Sequence, residues 1–247
     1  MANQSFSENL VTIMGIDFIN VTKEDLLQHY LYPRLKREEK SFIVTANPEM
    51  VMRSKEDASF KEIMRTADFT VPDGAGVVIA SKFVKDPIVE RIPGFELMLD
   101  LLEHAEREGL SCYFIGAKED VIGKTIQEVK RRHSKLKIAG YHHGYFSLQD
   151  EEVLQNVVDA QPDLIFVALG SPRQEMWISQ NIDSFTKGLF IGVGGSFDVL
   201  AGEVKRAPHT WIKYNLEWLY RILKQPFRLK RFWKSIKFML RMFIWKG

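Results

Sequence analysis

Asp73 stands in the run Pro72-Asp73-Gly74-Ala75-Gly76, just after a short apolar stretch and just before two glycines, so little side chain crowds its carboxylate. A carboxylate in that position can take a proton from an attacking hydroxyl, and it can equally cap a helix over Ala75 to Phe83. Residue type and spacing leave both roles open. Gly192-Val193-Gly194-Gly195-Ser196 follows another apolar stretch, and its glycines would let backbone N–H groups approach a phosphate, or would simply make a tight turn from strand to helix. The dinucleotide fingerprint is incomplete there, since no Gly-x-Gly-x-x-Gly is followed by an acidic residue about 20 positions on. In Gly170-Ser171-Pro172-Arg173-Gln174-Glu175 a Gly-Ser turn and a proline at the first helical position prepare a helix start that Arg173 and Gln174 decorate. Such a start binds anions, or is no more than a well-capped helix.

Arg91, in Arg91-Ile92-Pro93-Gly94, carries a guanidinium able to grip a diphosphate through two hydrogen bonds, or to pair with Glu90 or Asp86. Thr45 and Asn47 in Thr45-Ala46-Asn47-Pro48, and Gly116 after the run Cys112 to Ile115, complete the candidates for substrate binding. His142 and His143 lack the partners of a zinc site and are read as hydrogen-bonding loop residues. Neither Asp-x-Asp nor His-Glu-x-x-His occurs, so no metal and no cofactor is expected. A departing diphosphate would then be stabilised by arginine and by helix N-termini.

Something must hold these residues together, and the pattern of the chain supplies it. Between about Ser41 and Val193, short β-branched or aromatic runs alternate with longer helical patterns, the mark of βαβ units around a parallel sheet. Strands are predicted at Phe42 to Ala46, Phe69 to Val71, Cys112 to Ile115, Lys137 to Tyr141, Leu164 to Leu169 and Leu189 to Val193. Helices are predicted at Phe95 to Glu108, Val121 to Arg132 and Glu151 to Ala160. Val11 to Val21 suits an antiparallel hairpin, and Thr22 an N-cap with acids in the turn that follows. The fold class is therefore α/β, a Rossmann-like, mostly parallel sheet with flanking helices. In such a sheet ligands sit beyond the carboxyl ends of the strands, which is where four of the candidate runs fall.

Composition bounds the rest. An apolar fraction of 45% over 247 residues can bury one sizeable core and excludes a disordered chain. One cysteine, Cys112, allows no disulfide framework and fits a reducing, cytoplasmic setting. No signal peptide and no membrane-spanning stretch is expected, since no run of about 18 apolar residues occurs. The net charge of +2 is unevenly spread, because eight lysines and arginines after Leu223 face no acid there and leave the residues before them at about −6. A break near Ala207-Pro208 divides the chain into a body, 1–207, and an appendage, 208–247. In the appendage Leu229, Phe232, Trp233, Ile236, Met239, Leu240, Phe243 and Ile244 share a helical face of roughly 140°, with the basic residues opposite. A basic amphipathic helix of this kind suits the surface of an anionic membrane, or packs on its own body or on a second subunit. A nucleic acid partner is not expected, because an acidic body opposes it. Homo-oligomers stay open.

Taken together, Thr45-Ala46-Asn47-Pro48, Pro72-Asp73-Gly74-Ala75-Gly76, Arg91-Ile92-Pro93-Gly94, His143-Gly144-Tyr145-Phe146, Ala168 to Glu175, Gly192 to Asp198 and Arg206-Ala207-Pro208 resemble the WecG/TagA/CpsF glycosyltransferases. The likeness runs in register from about Met14 to the tail. What the resemblance implies is an inverting, metal-independent transfer from UDP-N-acetylmannosamine to the 4-hydroxyl of undecaprenyl-diphosphate-linked N-acetylglucosamine, at the inner face of the cell membrane. It implies Asp73 as catalytic base and Thr45, Arg91 and Gln174 as pocket residues. Arg221, Arg228 and Arg231 stand where the family's appendage brings arginines to the donor diphosphate. Two rivals remain at this stage. A nicotinamide-dependent oxidoreductase or sugar epimerase is opposed by the incomplete fingerprint and the missing Tyr-x-x-x-Lys, and a non-catalytic membrane adaptor leaves the strand-end residues unexplained.

Overall fold

Six stretches rich in β-branched and aromatic residues form one parallel sheet in the computed structural model, which describes residues 9–83, 87–205, 208, 210, 211, 220 and 238. The chain opens with an antiparallel hairpin, β1 (Leu10–Ile13) and β2 (Ile16–Ile19). Helix α1 follows as Lys23–Asp25, a π-helical stretch Leu26–Leu31 and Tyr32–Lys36. Its N-cap is Thr22, whose hydroxyl accepts from the Asp25 N–H at 3.1 Å, as the sequence predicts.

The sheet strands are β3 (Ser41–Ala46), β4 (Phe69–Pro72), β5 (Ser111–Gly116), β6 (Lys137–His142), β7 (Leu164–Ala168) and β8 (Leu189–Gly192). The helices between and after them are α2 (Pro48–Glu56), α3 (Ala58–Thr66), α4 (Ala75–Ser81), α5 (Gly94–Glu108), α6 (Glu119–Arg132), α7 (Glu151–Asp159), α8 (Arg173–Asn181) and α9 (Ser196–Leu200). Strand order is β4-β3-β8-β7-β5-β6, with every neighbouring pair parallel.

Both faces of the sheet are covered, which is why the central strands read as unbroken apolar runs. Side chains alternate between two cores. Ile43, Cys112, Phe114, Leu164 and Phe166 meet α1, α5, α6 and α9 on one face. Phe42, Val44, Tyr113, Ile115, Ile165 and Val167 meet the hairpin, α2, α3, α4, α7 and α8 on the other. Phe114 stacks on Phe166 at 5.4 Å and tilts against Phe197 at 5.9 Å, and each such buried ring is worth about 1.5–3 kcal/mol over an exposed one. Strand β6 is only partly buried, as an edge strand should be. Phe238, the one described residue beyond Tyr220, is fully buried in the second core. All eight residues of the proposed amphipathic face, to which Phe238 does not belong, lie outside the described residues, as does the division at Ala207.

The amino ends of the strands are tied by Asp163. Its carboxylate accepts from the Ser111 N–H and hydroxyl, both at 2.8 Å, and pairs with Lys187 at 2.6 Å. Burial alone would raise this carboxyl, but Lys187 and the Ser111 donors outweigh it and hold the group below its usual range. A depressed folded value contributes stability above the unfolded pKa and loses it as the pH falls through the folded value. Asp163→Asn should therefore destabilise the protein in urea at about pH 7, with the gap to the parent closing well below pH ~3.9, the unfolded aspartate value.

Candidate active site at the carboxyl edge of the sheet

Strands β3, β4 and β8 end side by side, and their last residues are locked to one another. The Asp73 N–H donates to Ala46 O at 3.0 Å, and the Ile92 N–H to Pro72 O at 2.9 Å, which brings the Arg91-Ile92-Pro93-Gly94 segment against the end of β4. Asp73 Oδ1 accepts from the Gly94 N–H at 3.2 Å. This corrects one reading of the sequence. The cap of α4 is Gly74, with no side-chain hydrogen bond, and Asp73 instead serves the first turn of α5, whose own N-cap is Pro93 and has no side chain able to do so. The Asp73 carboxylate is thereby oriented by a backbone donor across the loop.

Thr45 and Asn47 are tied into the framework. The Thr45 hydroxyl donates to Gly192 O at 2.8 Å, while Gly94 packs closely on its side chain. Asn47 Oδ1 caps α2, accepting from the Glu49 and Met50 N–H groups at 3.0 and 3.2 Å. Gln174, 3% exposed, lies over the end of β8. A Cβ at Gly192 would collide with its amide, so only glycine leaves room for it. Gln174 Oε1 accepts from the Gly194 N–H at 3.1 Å, in a turn where Gly194 has φ +52°. Asp73, Gly94, Thr45, Gly192, Gln174 and Gly194 thus form one continuous chain of contacts. The glycine turn read from the sequence as a phosphate loop has one of its N–H groups already engaged by Gln174.

A second group sits where the connections diverge. From β5 the chain turns outward through α6 to β6, and from the neighbouring β7 it turns the other way through α8 to β8. Such a switch point opens a crevice for ligands. Gly116 (φ +134°) and Gly170 (φ +74°) flank it, and a Cβ on Gly116 would strike the Ala168 carbonyl. Gly144 closes onto Ala117, its N–H donating to Ala117 O at 2.7 Å. Ser171 is exposed and precedes a cis bond to Pro172, which is the N-cap of α8 rather than its first residue. Arg173 is exposed and donates to Phe146 O at 2.8 Å, so it braces the loop after β6. The first turn of α8 therefore joins the two groups, Arg173 reaching towards β6 and Gln174 towards β8. Gly195 is the N-cap of α9.

His142 is the last residue of β6 rather than a loop residue, and His143 opens the loop that follows. His142 Nδ1 lies 2.8 Å from His143 O, and His143 Nδ1 accepts from the Tyr145 N–H at 3.3 Å. Glu90, one of the two partners considered for Arg91, accepts from the Lys23 N–H at 2.8 Å, while Asp86, Arg221, Arg228 and Arg231 lie outside the described residues. Sequence reasoning missed one member of the site. Gly94 was legible only in retrospect, as a helix start whose proline cap leaves its N–H in need of an acceptor.

The profile of the family described as "Glycosyl transferase WecG/TagA/CpsF family" matches residues 11–247. The N-acetylglucosaminyldiphosphoundecaprenol N-acetyl-beta-D-mannosaminyltransferase of Bacillus spizizenii is 39% identical over 219 residues, covering 89% of this chain and 85% of that protein. The enzyme of the same name from Staphylococcus aureus strain MW2 is 38% identical over 227 residues, covering 92% of this chain and 89% of that protein. With a family profile matched from residue 11 to residue 247 and likeness to these enzymes over most of its length, the chain belongs to the WecG/TagA/CpsF family of glycosyltransferases.

Proposed function

We propose that this glycosyltransferase moves N-acetylmannosamine from UDP-N-acetylmannosamine to the 4-hydroxyl of undecaprenyl-diphosphate-linked N-acetylglucosamine, with inversion, in the synthesis of a wall teichoic acid linkage unit. The observation that carries the reading is the contact chain from Asp73 through Thr45 to Gln174, set in a chain so similar to enzymes named for that acceptor and sugar. One carboxylate suffices for inversion. The acceptor oxygen forms its bond to the anomeric carbon as the bond to UDP breaks on the opposite side. Asp73 takes the hydroxyl proton, and the electron pair of the broken bond leaves on the UDP diphosphate. Arg91 and the appendage residues Arg221, Arg228 and Arg231 stabilise that departing charge, aided by the helix starts at the sheet edge. The basic tail holds the enzyme at the inner membrane surface, where the lipid acceptor lies. No helix among the described residues is long and apolar enough to cross a membrane.

A donor screen with purified protein and a short-chain lipid-linked N-acetylglucosamine, reading UDP release, tests the assignment. UDP-N-acetylmannosamine should be preferred over its uronic acid relative and over UDP-hexoses. Turnover of one of those in its place would move the enzyme to another surface polysaccharide.

The reading also carries no divalent metal. The sequence has no Asp-x-Asp, while arginines and glycine turns are at hand to take its place. Activity is expected to survive excess EDTA. Loss of turnover that Mg²⁺ or Mn²⁺ restores would remove the arginines from the role of charge stabilisers.

A further inference from the structure

Glu175 is 1% exposed in the first turn of α8. Its Oε1 accepts from Gln174 Nε2 at 2.7 Å, and its Oε2 has no hydrogen-bond partner. A carboxyl group buried in this way is costly and is not placed there by packing alone, because an apolar side chain of the same shape would fill the site without the penalty. Burial pushes the Glu175 carboxyl up, and the Gln174 amide that donates to it draws it back by less. The mechanism proposed above gives it nothing to do.

Its one strong contact suggests a use. The amide of Gln174 has two ends, an oxygen and an NH2 group, and must not be turned over. Its oxygen accepts from the Gly194 N–H, so its NH2 end must point away, towards Glu175. An acceptor at 175 therefore selects the orientation of Gln174 that captures Gly194. We propose that Glu175 is a positioning residue: its Oε1 fixes the side-chain amide of Gln174 and, through it, the glycine turn at Gly194 on the wall of the donor pocket. The connection to donor use rests on the transferase reading, whereas the connection to Gly194 stands on the contacts alone.

Three substitutions separate this role from mere packing. Glu175→Gln keeps an acceptor oxygen at the same reach. Glu175→Met keeps the volume without an acceptor, and Glu175→Asp keeps the carboxyl but withdraws it by one methylene. Hydrogen exchange of the segment 189–198 in the full-length protein reads the turn directly. Exchange at Gly194 should be faster in E175M and E175D and parental in E175Q. With UDP-N-acetylmannosamine, kcat/KM should fall about tenfold in E175M and E175D, the effect of one buried donor left without its acceptor, and stay close to the parent in E175Q. A merely structural residue would instead make activity follow the melting temperature, and Met at a buried site need not lower that temperature. Should E175M fail to fold, the comparison of E175D with E175Q decides. Unchanged exchange in E175M and E175D, or an E175Q that behaves like E175M, overturns the proposal. A parent enzyme inactive on this donor sinks the functional reading while leaving the exchange result to judge Glu175.

Discussion

Asp73→Asn is expected to cut turnover by about 10²-fold or more while leaving donor affinity near that of the parent. The choice of asparagine follows from the geometry. Asp73 Oδ1 accepts from the Gly94 N–H, and an amide oxygen can accept the same bond, so the start of α5 keeps its cap. What the variant loses is basicity. Asp73→Ala would remove the cap as well, at a cost of about 1 kcal/mol, and a fall in rate could then reflect a shifted Arg91-Ile92-Pro93-Gly94 segment. Donor binding by calorimetry and UDP release on a short acceptor give the two halves of the test. Near-parental turnover in the asparagine variant would exclude Asp73 as the base.

The extent to which this site could be read from the sequence depends on distance along the chain. All six strands were legible to within a residue at either end, because burial on both faces makes β3, β5, β7 and β8 continuous apolar runs between turn residues. The three helices picked out by periodicity, α5, α6 and α7, were legible for the same local reason. The pair α2 and α3 is not legible in this way, because only Asp57 separates the two helices and no cluster of turn residues marks where one ends and the next begins.

The candidate residues were legible as types at strand ends. Their partners were not, because each partner comes from a different strand or loop. The capping role of Asp73 illustrates this. Spacing pointed to the next helix, two residues away, and the helix actually served begins 21 residues later at Gly94. The same holds for Gly192, whose lack of a side chain looks like phosphate chemistry in the sequence but in the fold makes room for Gln174, which comes from α8.

Among the remaining consequences, the largest concerns the tail. Truncation after Ala207 is expected to abolish turnover, but the truncation alone cannot say why. It removes Phe238, fully buried in the second core, and emptying the site of a buried Phe costs about 3–5 kcal/mol of stability. Loss of folding and loss of chemistry would then coincide. Point substitutions divide the roles. Arg221→Ala or Arg228→Ala leaves Phe238 in place and removes one charge opposite the departing diphosphate, for which a loss of about 10²-fold in kcat is expected on soluble and membrane-borne acceptors alike. Replacing Lys234, Lys237 and Arg241 together with Gln removes three charges from the basic side of the predicted helix. At about 1 kcal/mol for each basic residue near an anionic surface, binding to anionic liposomes should weaken by roughly 10²-fold, and added salt should narrow the difference from the parent. Turnover of a short soluble acceptor should stay near the parental rate in that triple variant. If Arg221→Ala and Arg228→Ala both work at the parental rate on the soluble acceptor, the arginines leave the active site and the tail serves as anchor and core packing only.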